Sequence, residues 1–593
     1  MSTIIADTTI DQTYVNSATW PITLQGDDIN LLTITIDNIT LSGSDKYFII
    51  KSDKILIDGT VAQNTITIDG ITDYPGLVQN GNGIDNGETT FYNITIQKLN
   101  IDISNNSTLA DKAGWIGQES YGYDGIYTST IFDNCTIGVN ATISGTKCGG
   151  IVGYNSDVTI NNCTNNANIT GEDAGGIFAG FTLGDGTGNI NNGNISGKNA
   201  GGIAGGDESE VNLTSCINNG AITGVGSGGI IGALSFGSYI SCTNNSDING
   251  DNAGGIIGQN SESEAELCTS IGDIIGVNAG GIFGAGSIGL AIKCVSNPNS
   301  INKKGIYGVG SGGIFGGQCV GEALDCNSTG IIQGLYSGGI YGQEGTGTVV
   351  TSHSSGEIKG KFSGGIFGYN SLTADSTDSY STGTISGEGS GGIYGSESLG
   401  SSDGCYSTGD INGTGTGGIF GNNTISGSII INSTINSNVD GNNAGGFVGS
   451  NSDCYIYLCT YDGLITGNNA GGFFGSESTG YTEECINNGN ILGSNSGGIF
   501  GFNSDFSTTA INCTNNGNIK GDNCGGIYPG ESSSYAAYCD NNGDIITNGA
   551  GGIFGASSSG LAINCSNTGN ISNNSGGIFG ESSTGTAENC YST

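Results

Sequence analysis

Cysteine is the most reactive side chain in this sequence, and its spacing is regular. The chain contains 18 cysteines. Fourteen of them form one column, in which neighbours are separated by about 26 residues or a multiple of that number: Cys135, Cys163, Cys216, Cys242, Cys268, Cys294, Cys326, Cys405, Cys459, Cys485, Cys513, Cys539, Cys565 and Cys590. If successive turns of the chain stack as neighbouring strands do, these thiols lie about 5 Å apart.

We expect the cysteine column to be an inward ladder, because free cysteine packs as a small buried hydrophobe. Disulfides between neighbouring rungs are a second possibility, since their geometry is compatible with adjacent strands. Metal binding is a third, although the sequence has no Cys-x-x-Cys pair or Cys/His cluster at zinc spacing. Cys148, Cys319, Cys454 and Cys524 lie off the column and are predicted to be the exposed thiols.

The charged residues exclude several classes of protein. There are 13 lysines, no arginine, and one histidine, His353, which is predicted to be a surface or turn residue. Against 53 carboxylates, this gives a net charge of −40. Such a chain has no basic patch for nucleic acid, no bidentate arginine clamp, and no set of histidines for a metal site or a hydrolytic triad.

The acidic residues are predicted to keep the surface soluble. They are scattered through turns, as in Gly184-Asp185-Gly186 and Gly206-Asp207-Glu208. The pair Glu483-Glu484 has the residue types of a glycosidase, but nothing in the sequence positions an acid against a base. We therefore predict no catalytic, cofactor-binding or metal-binding residue and no enzymatic activity, with a polysaccharide lyase or hydrolase as the enzyme class that remains.

An internal repeat organises most of the chain. The phrase Gly-Gly-Ile-[Phe/Tyr]-Gly, or a close variant, occurs 17 times between Gly149 and Gly580, mostly at intervals of 26 residues. Each unit holds three short apolar phrases rich in β-branched residues and bounded by Gly, Asn, Ser or Asp. Phrases of this length are typical of strands rather than helices. Near-constant repeats of three strands predict the stacked turns of a solenoid.

The sequence therefore predicts an all-β fold, a right-handed parallel β-helix of about 17 regular turns of about 26 residues, preceded by irregular N-terminal turns. Residues 131–593 form the repeat solenoid, and residues 1–130 form the irregular turns and cap. The N-terminal part lacks the Gly-Gly phrase but alternates apolar and polar residues, as in LLTITIDNITL from Leu31. Ile151, Ile177 and Ile203 are predicted to point inward and stack on one another.

An aromatic residue follows the isoleucine of many repeats and forms its own column: Phe283, Phe315, Tyr341, Phe367, Tyr394 and Phe420. In a strand whose side chains alternate between faces, these rings would be exposed along one outer side. That arrangement would supply an apolar stripe for lateral packing. The alternative is a second inward layer at a wider corner. Continuous packing would cover such a column throughout, whereas glycan binding needs a local cluster of exposed rings.

Two resemblances follow from these motifs. The segment YSTGTISGEGSGGIYG from Tyr380 resembles the GLUG-type repeat of long bacterial cell-surface proteins, over about residues 131–593. This resemblance implies a surface solenoid without assigned catalytic residues. The stretch from Trp20 to Gly59 is similar to the opening of β-helix proteins of large DNA viruses of amoebae, which implies a particle made in host cytoplasm.

The functional prediction is a rigid, acidic structural solenoid in a surface layer, fibre or virion coat. It would act through lateral or end-to-end contacts, as a homo-oligomer or with other coat proteins. A glycan-binding rod is the alternative and a polysaccharide-active enzyme the third. We expect no signal peptide, transmembrane segment, nucleic-acid partner or cofactor, and a location on a virion surface or, alternatively, a microbial cell surface.

Overall fold

The structure is a computed structural model that describes residues 1–60, 64–81, 91–119, 130–296, 305–504, 507–572 and 574–593. The chain is an all-β, right-handed parallel β-helix of about 21 turns, which confirms the predicted fold class. It divides into two compact units, unit 1 at Met1–Val295 and unit 2 at Ser296–Thr593.

Each regular turn contributes two principal strands. After Gly149-Gly150, the strand Asp157–Asn161 belongs to what we call the long face, and Thr164–Asn165 belongs to the short face. Strands of adjacent turns pair in parallel, so that Asp157 lies beside Leu183. Stacking in this register keeps equivalent repeat positions in line.

The described part of unit 1 contains one short helix, Gln12–Ser17. The strands of its long face are Thr8–Ile10, Leu32–Ile36, Ile55–Asp58, Ile94–Gln97, Ile131–Asp133, Asp157–Asn161, Leu183–Thr187, Glu210–Thr214, Phe236–Ile240, Glu262–Glu266 and Ile288–Ile292. Those of its short face are Ile39–Leu41, Thr65–Asp69, Asn100–Ser104, Thr136–Ile137, Thr164–Asn165, Ile190–Asn191, Ile217–Asn218, Thr243–Asn244 and Thr269–Ser270. A third sheet holds Ser2–Ile4, Ile22–Leu24, Phe48–Ile50 and Val78–Asn80, and a fourth pairs Thr142–Ile143 with Asn168–Ile169.

Unit 2 repeats the same arrangement. The strands of its long face are Val320–Leu324, Thr346–Val350, Leu372–Thr377, Leu399–Asp403, Ser428–Ile431, Asp453–Tyr457, Thr479–Glu483, Thr509–Ile511, Tyr535–Ala537, Leu561–Ile563 and Thr586–Glu588. Those of its short face are Asn327–Ser328, His353–Ser354, Tyr380–Ser381, Tyr406–Ser407, Thr434–Ile435, Thr460–Tyr461, Ile486–Asn487, Thr514–Asn515, Asp540–Asn541, Ser566–Asn567 and Tyr591–Ser592. Gly305–Ile306 pairs with Ile331–Ile332, and Val295–Ser296 spans the division between the units.

The Gly-Gly pair is a steric requirement of the stacked turns. A Cβ atom on Gly201 would lie 1.8 Å from the carbonyl oxygen of Ala204, and one on Gly202 would lie 2.1 Å from that of Gly229 in the next turn. Both distances are far inside van der Waals contact. The isoleucine after the pair is fully buried, as predicted at Ile151, Ile177 and Ile203.

A ladder of buried asparagines crosses the interior of unit 1 on the short face. The Nδ2 of Asn191 donates to Oδ1 of Asn218 in the next turn at 2.7 Å and to the carbonyl of Gly193 at 2.8 Å. Its own Oδ1 accepts from Nδ2 of Asn165 at 2.8 Å. Buried amides are thus fully paired, which avoids the cost of a lone buried polar group.

Candidate functional site

The aromatic column that follows the Gly-Gly-Ile phrase lies inside the solenoid. Phe283, Phe315, Tyr341, Phe367, Tyr394 and Phe420 are all fully buried. Within unit 2, neighbouring rings stack with centroids 4.2–5.2 Å apart. Of the two arrangements considered for this column, the inward layer is therefore correct and the exposed stripe is wrong.

The cysteine column is buried as expected except at Cys590, which is partly exposed, and no disulfide links any of the 18 cysteines, all of which lie among the described residues. Cys148, Cys319, Cys454 and Cys524 are buried too, so the prediction that they are exposed is wrong. Cys148 and Cys524 directly precede a Gly-Gly pair, an inward position that alanine or serine fills elsewhere, and burial raises the pKa of each thiol to about 12. Among the described residues, no group of three or more His, Cys, Asp or Glu side chains could hold a metal ion.

One of the acidic residues differs from the prediction, whereas the histidine lies at the surface as predicted. Asp185 lies within the long-face strand Leu183–Thr187 rather than in a turn. His353 is half-buried on the outside of the short face, and its ring stacks on Tyr380 at 4.8 Å, with Tyr406 a further 4.8 Å along. Burial lowers the pKa of His353, which keeps the imidazole neutral at physiological pH.

A groove lies on the long face of unit 2, and we call it the tyrosine groove. It has a volume of about 730 Å³ and is lined by residues of the strands Ser428–Ile431, Asp453–Tyr457, Thr479–Glu483 and Thr509–Ile511. Tyr455 and Tyr481 stand side by side in it, because parallel pairing places them at the same position in successive turns. Their ring centroids are 5.2 Å apart and their planes are tilted by 30°.

A carboxylate beside the groove organises the two tyrosines. The hydroxyl of Tyr455 donates to Oε2 of Glu483 at 3.2 Å, and that of Tyr481 donates to the same oxygen at 3.4 Å. Burial, then this hydrogen bond, raises the pKa of Tyr455 to about 12, so both rings remain neutral donors. Asp453, Ser426, Thr479 and Thr509 add a carboxylate and three hydroxyls to the lining.

The tyrosine groove combines flat apolar surface with hydrogen-bonding groups. The rings are half-buried, which leaves part of each exposed. None of the described residues that line the groove is basic, and Asp453 gives it a negative character. The residue types in the sequence point to Glu483, as part of a carboxylate pair, but not to either tyrosine. Their separation of 26 residues equals the repeat, so comparing outward positions turn by turn would have found them.

A smaller groove of about 310 Å³ lies on unit 1. Phe181, Leu183 and Phe236 give it an apolar wall, and Glu208 and Glu210 give it an acidic one. Both units therefore present an aromatic and acidic groove beside the long face.

The comparisons with known proteins concern the fold. No family model matches the sequence, and no curated protein matches it. Two similar solved structures are AlyGC, a PL6 family alginate lyase, and the A-module of the Azotobacter vinelandii mannuronan C-5 epimerase AlgE6. The first is 10% identical with a TM-score of 0.27 and covers 99% of this chain and 100% of its own. The second is also 10% identical, with a TM-score of 0.15, and covers 95% of this chain and 91% of its own.

The prediction of no enzymatic activity is contradicted by these two neighbours, which are named as a lyase and an epimerase. Because no family model matches the sequence, the resemblances to GLUG-type repeats and to viral β-helix proteins stay predictions. No helix in the described part of the chain is long and apolar enough to cross a membrane.

Proposed function

We propose that this protein is a glycan-binding β-solenoid and that the tyrosine groove of unit 2 is its binding site. One observation carries the proposal: Tyr455 and Tyr481 stand side by side in a groove of about 730 Å³ edged by hydroxyls and carboxylates. The C–H face of a sugar ring packs on an aromatic ring, while its hydroxyls need hydrogen-bonding partners. The groove offers both.

The buried aromatic column supports this proposal over lateral packing. A packing stripe would need rings exposed along successive turns, and those rings lie in the core. The half-exposed rings instead form local clusters, such as Tyr455, Tyr457 and Tyr481, which is the pattern that glycan binding requires.

Charge indicates the class of glycan. The net charge is −40, and the groove contains Asp453 with Glu483 close by. A polyanionic chain such as a uronic-acid polymer would be repelled by this surface. Neutral glycans and amine-bearing glycans are the classes that the surface accepts.

Isothermal titration of neutral and amine-bearing oligosaccharides against the full chain tests the proposal. We expect Tyr455→Ala and Tyr481→Ala each to weaken binding about tenfold or more, because each removes one stacking surface. Tyr538→Ala is the matched control, since Tyr538 is 57% exposed and does not line the groove. Unchanged affinity in both groove variants, with unchanged thermal unfolding, would refute the proposal.

A second candidate function is assembly into a surface layer, fibre or virion coat. An outward column of the long face in unit 1 supports it, since Phe236 is 41% and Ile288 is 53% exposed. Parallel pairing places Glu262 between them. Because like charges would oppose contact between two such columns, self-association should strengthen as salt or acid weakens the repulsion. Sedimentation velocity across salt concentrations, with Ile288→Ser as the variant, tests this role.

A further inference from the structure

One corner of unit 1 holds two lysines against an aromatic ring, and we call it the lysine corner. The Nζ of Lys112 lies 4.7 Å from the ring centroid of Tyr154, and that of Lys147 lies 5.3 Å from it. Tyr154 stacks on Phe181 at 5.4 Å. Lys147 forms an ion pair of 2.5 Å with Asp207. Here ammonium groups are bound by aromatic faces and a carboxylate together.

The lysine corner occupies defined positions of the repeat. Lys147 stands two residues before the first glycine of its Gly-Gly pair, and Tyr154 stands five residues after that glycine. Phe181 and Asp207 stand six residues after the first glycine of their own pairs. Stacked turns bring these positions together at one corner, as the hydrogen bond from the Tyr154 amide to the Lys112 carbonyl shows, at 2.8 Å.

Unit 2 has an aromatic cluster at the same repeat positions, and we call it the aromatic corner. Tyr336 and Phe362 each stand two residues before the first glycine of a Gly-Gly pair, and Tyr369 stands five residues after such a glycine. The ring of Tyr336 stacks on Phe362 at 6.0 Å and meets Tyr369 at 4.4 Å, tilted by 43°. All three side chains are partly exposed.

Two carboxylates complete the aromatic corner. The hydroxyl of Tyr369 donates to Oε2 of Glu397, and this bond raises the pKa of Tyr369 to about 12. Glu344 also acts on Tyr369 electrostatically and accepts from Nε2 of Gln318 at 2.8 Å. In the described parts of the chain, no ammonium lies over these rings and no lysine pairs with either carboxylate.

The backbone at this corner is held in an unfavourable conformation. Tyr336 has φ of +66° and Phe362 has φ of +60°, a left-handed region that bulky side chains rarely adopt. Other turns place Asn252, Asn443 or Gly389 at the same position. The two rings are thus present where asparagine or glycine would cost less, which is typical of functional sites.

We propose that the aromatic corner binds the protonated amine of an amino-sugar residue in a glycan. The lysine corner supplies the template, since Tyr154 and Asp207 bind the ammonium of Lys147 there, and Tyr369 and Glu397 stand at their positions in unit 2, where rings replace the lysine. In unit 2 the ring faces and carboxylates remain, and the cation comes from outside the chain. The choice of a glycan rests on the proposed function, whereas the choice of an ammonium rests on this geometry.

Titration with glucosamine hexamer and with N-acetylglucosamine hexamer under mildly acidic conditions tests the inference, because the two differ only at the C2 nitrogen, which is a protonated amine in the first and a neutral acetamide in the second. We expect the wild-type chain to prefer the amine form at least about fivefold, a size consistent with a cation–π contact. Tyr336→Asn, Phe362→Asn and Glu397→Gln should each abolish that preference.

The asparagine variants separate loss of the site from loss of the fold. Asparagine tolerates positive φ, so these variants should unfold at the same temperature as the wild type or higher. Tyr455→Ala should weaken both hexamers equally, so failure of the tyrosine groove is distinguishable from failure of the aromatic corner. Equal affinity of wild type for both hexamers would overturn the inference. So would preference retained in the asparagine variants, or binding of oligolysine without binding of glucosamine hexamer.

Discussion

The ring of Tyr394 lies 4.2 Å from that of Phe420, with the two planes 6° apart, and both residues are fully buried. Face-to-face stacking at the spacing of parallel strands follows from the repeat, because each turn places one ring at the same inward position. Such a stack is uniform in shape but not in polarity, since some members carry a hydroxyl.

Tyrosine-to-phenylalanine substitution in this stack should have opposite effects at two positions. Tyr394 donates to the carbonyls of Ala374 and Ser401 at 3.0 and 2.6 Å, whereas the buried hydroxyl of Tyr341 has no hydrogen-bond partner. We expect Tyr394→Phe to destabilise by about 1–2 kcal/mol and Tyr341→Phe to be neutral or stabilising. Thermal unfolding of both variants checks the signs, and a loss of stability in Tyr341→Phe would contradict the account.

The burial of this stack shows where reading the sequence alone fails. Strict alternation in a strand would expose the residue after a buried isoleucine, yet Ile393 and Tyr394 are both buried. The Gly-Gly-Ile-Tyr-Gly segment bends, and only its first glycine and its tyrosine form bridges to the next turn. A glycine on the long face makes room for the ring, since a Cβ on Gly400 would lie 3.1 Å from Cε1 of Tyr394.

The repeat, the parallel stacking and the inward isoleucines were predictable, because each depends on a spacing that is visible in the chain. Both the tyrosine groove and the aromatic corner depend instead on which outward residues stand side by side in adjacent turns. Tyr455 and Tyr481 are neighbours through a register that the sequence determines only once the turns are aligned. Exposure of the off-column cysteines was mispredicted because Cys148 replaces a small inward residue at a position that the column did not include.

Alanine at the Gly-Gly pair should disrupt the stacked turns. In Gly201→Ala, the new Cβ would lie 1.8 Å from the carbonyl oxygen of Ala204 and 2.5 Å from the amide nitrogen of Gly232. Because backbone atoms cannot move aside cheaply, we expect a loss of about 3 kcal/mol or more, or failure to fold. Gly26→Ala is the control, since its nearest contact would be an ordinary 3.4 Å. Urea unfolding that gives equal losses for both would contradict the steric argument.

Truncation to alanine should change the stability differently at Asn191 and at Ser354, which stands at the same repeat position in unit 2. Asn191 is paired on both sides, so Asn191→Ala should remove one hydrogen bond from each of the buried amides of Asn165 and Asn218, at a cost of about 2–4 kcal/mol. Ser354, at the same repeat position in unit 2, is buried, and its Oγ has no hydrogen-bond partner. Ser354→Ala should therefore be neutral or stabilising. Hydrogen exchange at the neighbouring amides measures each effect locally, and a comparable loss of protection in both variants would contradict the contrast.

Alkaline pH should destabilise the fold through its buried thiols. Burial raises the pKa of Cys148, Cys459 and Cys524 to about 12, above the value of about 8.5 for an unfolded thiol. The folded state thus binds more protons than the unfolded state between these values. The contribution of the thiols to stability is complete below about pH 8.5 and falls as the pH rises above it. We expect the unfolding temperature to decline above this pH, and less steeply in Cys148→Ala and Cys524→Ala, where alanine suits the same inward position. If the unfolding temperature of a variant with both substitutions declined as steeply as that of the wild type, groups other than these thiols would be responsible.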